Sequence, residues 1–148
     1  MKKIILLISV LFVTSCATNT SFNTFYQDNQ KDSEFSFGLS SSLIASFLPD
    51  EDLEDFKPLL KKAKHVRILV FSEDAAEKSI KFDKFIKRSN FDKLMKVKDD
   101  DDKISFFTLE SNDRIKEIVL EVSSGDELVL IGLKTNLTHE ELSQLIES

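Results

Sequence analysis

The residue whose type and place most clearly announce chemistry is Cys16. It is the only cysteine in the chain, so no intramolecular disulfide accounts for it. It closes the run Val13-Thr14-Ser15-Cys16: an aliphatic residue, two small residues, then a thiol. Small side chains leave the backbone between Ser15 and Cys16 open to cleavage, and a thiol is a ready nucleophile. The preceding segment agrees. Lys2 and Lys3 give a positive start, and Ile4 to Val13 is apolar apart from Ser9. That run is shorter than the roughly 20 residues a membrane-spanning helix needs, and it reads as a cleavable signal sequence.

This pattern resembles the lipobox of bacterial lipoproteins. The resemblance implies a signal peptide over residues 1–15, a lipidated Cys16 with a short polar tether to residue 21, and one domain over 22–148. Membrane attachment is then through the lipid on Cys16, since several acyl chains together give stable anchoring at about 0.8 kcal/mol per buried CH2. Ala17 rather than an aspartate follows the cysteine, and residues 17–27 carry no acidic side chain. By similarity to lipoproteins in general, both features point to the outer membrane and its periplasmic side.

The other groups that chemistry would use have plainer explanations. His65 and His139 are the only histidines, and a zinc site would need both together with carboxylates. Asp99 to Asp102, between Lys98 and Lys103, has neither the alternate ligand spacing nor the glycine of a calcium loop, and reads as a solvated hairpin turn. Ser123-Ser124-Gly125 lacks the surroundings of a nucleophile elbow. Three glycines, at 38, 125 and 132, cannot build a phosphate loop. The expectation is therefore no catalytic residue, no metal and no cofactor: a protein that is not an enzyme.

Charge narrows the partners. The formal charge of -6 becomes more negative by two once Lys2 and Lys3 are removed with residues 1–15. Nucleic acid needs a basic face, and anionic lipid would repel the domain. The 13 phenylalanines, beside no tryptophan, are expected as core filler.

The elements that carry these residues follow from periodicity. Phe22, Phe25 and Tyr26 suggest a short helix lying as a lid on the core. Phe35-Ser36-Phe37-Gly38-Leu39 alternates as a strand. A helix is expected from Ser40–Ser42 through Leu48, and another over 51–64 with a kink or break near Phe56 imposed by Pro58. Val66 to Phe71 reads as a strand covered on both faces. Ser72 is expected to cap a helix over 73–89, with Phe82, Phe85, Ile86 and Ser89 inward and Lys78, Lys81, Lys84, Lys87 and Arg88 on a basic outer surface. Four strands follow, near 94–98, 104–110, 115–122 and 128–134, joined by short turns as a meander. Thr138 and Glu141 form a capping box that opens a last helix with Leu142, Leu145 and Ile146 inward. The fold class is α+β: a mixed, mostly antiparallel sheet of about six strands with helices chiefly on one face. One feature resists a single covered face. The last two strands are apolar at both parities, so they are either covered twice by helices, the expected case, or left open to a second copy or an apolar ligand.

The order of these motifs resembles the DUF4252 family, small exported proteins of Bacteroidota. The likeness runs over residues 22–148 through Phe35-Ser36-Phe37-Gly38-Leu39-Ser40, Val66 to Phe71, Ile115 to Leu120 and Leu128 to Leu133. It transfers no catalytic residue, and it implies a small non-enzymatic envelope protein. The expected function is thus a lipid-anchored binding or scaffold module of the cell envelope, with an envelope protein or a second copy as partner and no nucleic acid. The alternatives are a carrier or sensor of an apolar ligand and an envelope enzyme of unidentified type.

Overall fold

The computed structural model describes residues 21–40, 43 and 57–147. Cys16, the signal sequence, the helix expected up to Leu48 and the acidic start of the 51–64 segment lie outside the described residues. Among those described, the order is α1 (Phe22–Asn29), β1 (Phe35–Ser40), α2 (Lys57–Lys62), β2 (His65–Phe71), α3 (Ala75–Arg88), β3 (Asp92–Asp99), β4 (Asp102–Ser111), β5 (Arg114–Ser124), β6 (Glu127–Leu137) and α4 (His139–Glu147).

The six strands form one sheet in the order β1-β2-β6-β5-β4-β3. Every neighbouring pair is antiparallel. The class is α+β, and β3 to β6 are the expected meander. Tight turns make the meander possible. Asn112 and Asp113 both hold positive φ, the signature of a two-residue hairpin turn, and short polar side chains tolerate it. Asp100 does the same in the β3–β4 turn, so the four-aspartate run is an exposed hairpin end.

The described helices do not gather chiefly on one face; they divide two and two. Helices α1 and α3 cover the first face, where Phe22, Phe25, Phe82 and Phe85 pack on Leu69, Phe71, Phe107, Val119, Leu128 and Leu130. Helices α2 and α4 cover part of the second, where Leu59, Leu60 and Leu142 meet Val66, Ile115, Ile118, Leu133 and Leu137. The reason is the double parity of β5 and β6: both sides of these central strands are apolar, and one helical layer can dry only one of them.

Helix α1 is a lid, as its spacing predicts. Phe22 and Phe25 are buried, and their rings join an aromatic chain through Phe82 to Phe107. The capping box of α4 is formed: the Glu141 N–H donates to Thr138 Oγ1 at 3.1 Å and the Thr138 N–H to a Glu141 carboxylate oxygen at 2.8 Å.

Three expectations need correction. Ser72 does not cap α3; Asp74 is the N-cap residue, and the Ser72 hydroxyl donates instead to the Glu34 carboxylate. Lys78 is buried, not part of the outer basic surface, because its ammonium reaches Asp32 at 2.8 Å and Asn29 at 3.4 Å past the Phe71 ring. Ile146 points to solvent, since α4 buries Leu142 and only partly covers Leu145.

Candidate functional site

The second face of the sheet is where the fold leaves apolar surface in the open. Registers across all six strands align its side chains in rows. One row runs Phe35, Val70, Val129, Val122, Ile104, Val97. The next runs Phe37, Ile68, Ile131, Leu120, Phe106, Met95. All twelve are apolar, and none is fully buried. At the sheet's two edges Phe35, Phe37, Met95 and Val97 are exposed, and the Phe35 and Phe37 rings stack 6.1 Å apart. Six strands at ~4.8 Å spacing make each row about 24 Å long, and two rows stand ~7 Å apart along the strands.

The position of α2 and α4 sets how far the described helices reach over these rows. Both helices pack on the third row, Leu39, Val66, Leu133 and Ile118, and on Ile115 and Leu137 beyond it, and their cluster extends to Ile68 and Ile131 in the middle of the second row. They form a step beside a flat apolar ledge. The far border of the ledge is acidic. The next positions on this face are Asp99, Asp102, Ser124 and Glu127, and the exposed turns add Asp100, Asp101 and Asp126. No described residue forms an ion pair with any of these six carboxylates.

The first face is closed and holds two carboxylates within it. Glu117 and Glu121 flank the buried Val119 on β5. Burial pushes the Glu117 carboxyl up to about 7, against the opposing pull of the Phe22 N–H and of Lys134 and Arg67. The Phe22 N–H donates to Glu117 Oε1 at 3.2 Å. Glu121 is wholly buried, and burial raises its pKa above the ordinary carboxylate range. Lys103 Nζ stands 3.2 Å from its Oε1, an ion pair, yet neither oxygen accepts a well-directed hydrogen bond. Ser105, opposite Glu121 in the ladder, is likewise buried without a partner for its hydroxyl. Lysines 93, 96 and 98 take this face on the edge strand β3, and repulsion from Lys103 and Lys98 lowers the Lys96 pKa. Lysines along an open edge oppose pairing with another strand.

A third feature is a polar cleft of about 240 Å³ lined by Asp32, Glu34, Phe71, Ser72, Glu73 and Asp74. Lys78 neutralises Asp32 and holds its carboxyl below the usual range. Among the described residues no set of three or more His, Cys, Asp or Glu side chains is arranged to hold a metal ion.

The residues singled out from sequence are scattered. Ser15 and Cys16 lie outside the described residues. His65 begins β2, while His139 begins α4 and meets Glu110 at 2.7 Å. Ser123 and Ser124 end β5 and Gly125 makes the turn to β6. Sequence reasoning did not find Glu117 and Glu121; their shared parity with the apolar Val119 was the available signal. The open ledge was half legible, in the double parity of the last strands. The described helices cover most of one parity and only part of the other.

Residues 25–145 match the model of a family described as a domain of unknown function, DUF4252. No curated protein and no solved structure matches the chain.

Proposed function

We propose that this chain, which belongs to the DUF4252 family, is a lipid-anchored, non-catalytic binding module of the bacterial cell envelope. The ledge carries the reading: twelve apolar side chains in two rows, four exposed at the sheet's edges and eight half-buried between them. Soluble monomers rarely expose contiguous apolar patches beyond a few hundred Å² unless the patch binds something. A flat face would leave a small molecule wet on one side, whereas ligand sites are concave. A protein surface fits it better.

The anchor supports a partner away from the bilayer. The lipid on Cys16 would join the domain at α1, which docks on the first face beside Glu117, at the α2/α4 end of the sheet. The ledge is on the opposite face and further from that end. The lipid then holds the module at the periplasmic side of the outer membrane while the ledge meets a partner.

Two measurements test this. Changing Cys16→Ala should move the protein from the membrane to the soluble fraction; an acylated, membrane-bound variant would refute the anchor. Crosslinking in intact envelopes should give a reproducible partner whose capture is lost on Val122→Ser/Val129→Ser. Capture indifferent to those substitutions would refute the ledge.

A further inference from the structure

Charge around the ledge narrows what can sit on it, given the reading that the ledge is a docking face. The open strip is about as wide as one α-helix, ~10 Å across, and its ~24 Å length matches about 16 helical residues at 1.5 Å each. On one side stands the step made by α2 and α4. On the other lie Asp99, Asp102 and Glu127 in register, with Asp100, Asp101 and Asp126 in the adjoining turns. The nearest lysines of the β3–β4 hairpin, Lys98 and Lys103, oppose each other on the other face of the sheet, and Lys103 is engaged by Glu121. Among the described residues, therefore, no cation compensates the acidic border on the side where a partner would lie.

We propose that the ledge receives an amphipathic helix of a partner protein, apolar on the face it buries and lined with Lys or Arg along the border that meets Asp99, Asp102 and Glu127. The apolar rows supply contact area, and the carboxylates choose between partners by sign and fix which way round the helix lies. Complementary potential gives specificity and speeds encounter, and an amphipathic helix laid on an apolar surface is a recurring mode of recognition. A second copy of this chain is disfavoured by the same border, because two ledges face to face about a twofold axis would bring acidic borders near apolar rows and leave every carboxylate without a cation.

The experiment uses two synthetic 18-residue amphipathic helical peptides with one leucine face, the polar face being lysine in one and glutamate in the other. Every described core residue lies at or after Phe22, so the exported part from residue 17 onward is titrated with each at ~0.15 M salt, near-physiological screening. The lysine peptide should bind at least tenfold tighter. Asp99→Lys/Asp102→Lys/Glu127→Lys should reverse that preference, and Val122→Ser/Val129→Ser should weaken the lysine peptide at least tenfold. If both peptides bind alike and both are lost in the valine variant, the helix's charge is wrongly assigned while the ledge stands as a docking face. If the valine variant, folded by circular dichroism, binds as the parent does, the ledge itself is refuted and this proposal with it. Sedimentation showing a dimer abolished by the valine variant would give the ledge to a second copy and overturn the proposal. Should the valine variant fail to fold, the charge-reversed variant decides alone, since its three positions are exposed: an unchanged preference overturns the proposal.

Discussion

Glu117 accepts the main-chain N–H of Phe22 at 3.2 Å, so a strand carboxylate holds the opening turn of α1 against the sheet. That contact draws Glu117 out of water, and desolvation outweighs the N–H, Lys134 and Arg67 together. The carboxyl's ordinary value of 4.5 rises to about 7. Between those values the folded chain keeps a proton that the unfolded chain has lost. The contribution of Glu117 to stability is thus greatest below pH 4.5, declines as pH rises to about 7, and levels off above, by about 3 kcal/mol in all. Glu121 shifts the same way and adds to the slope. Urea midpoints from pH 4.5 to 8 should show the decline, and Glu117→Gln should flatten part of it and stabilise the protein above pH 7. A parent midpoint that does not move with pH contradicts this assignment.

Phe22 also needs Gly132. A Cβ on Gly132 would stand 2.0 Å from Phe22 Cδ1, so the ring lies directly on the β6 backbone. Gly132→Ala should cost about 1–3 kcal/mol by overpacking. Phe22→Ala should cost about 3–5 kcal/mol through the cavity it leaves. Together they should cost clearly less than their sum, because the methyl fills space the ring has vacated. Tyr26, the only tyrosine in a chain without tryptophan, lies on α1 and provides a fluorescence probe of its docking. Strict additivity would show that the ring and Gly132 do not share one site.

The first helix and the strands were readable because each shows its own period: 3.6 at Phe22, Phe25 and Tyr26, and 2 at Phe35, Phe37 and Leu39. The fate of Lys78 was not readable. Its position on α3 is inward, but only the tertiary approach of Asp32 and Asn29 makes a buried ammonium tolerable there. The division of helices between the two faces was hidden for a related reason. Apolar residues at both parities of β6 say that both sides can be covered, while how far α2 and α4 reach along the second side depends on their docking. The ledge arises in that gap between pattern and reach.

The Lys103–Glu121 pair should show the asymmetry of buried charge. Removing Lys103 alone, as Lys103→Met, leaves Glu121 buried without its cation and should cost about 3–5 kcal/mol. Adding Glu121→Leu should recover most of that loss, because the carboxylate lies among Leu130, Ser105 and Val119 and an apolar group suits the place. Thermal unfolding of the three variants measures it. A double variant no more stable than Lys103→Met would mean that Glu121 is satisfied some other way.

Capping by Thr138 is worth a separate test because it holds one wall of the ledge. Thr138→Ala removes the oxygen that accepts the Glu141 N–H and should cost about 1 kcal/mol. Hydrogen exchange should quicken along α4 first and leave β5 unchanged. Uniform quickening across the sheet would show that the helix is not an independent cover.

The most direct test of the central claim places a photo-crosslinking residue at Val122, in the middle of the ledge, and separately at Ile80, exposed on α3 across the sheet. The full chain is illuminated in intact cells. The account predicts one adduct of defined mass from position 122, absent from position 80 and lost when Asp99, Asp102 and Glu127 are changed to lysine. No adduct from position 122, or the same adduct from both positions, would contradict it.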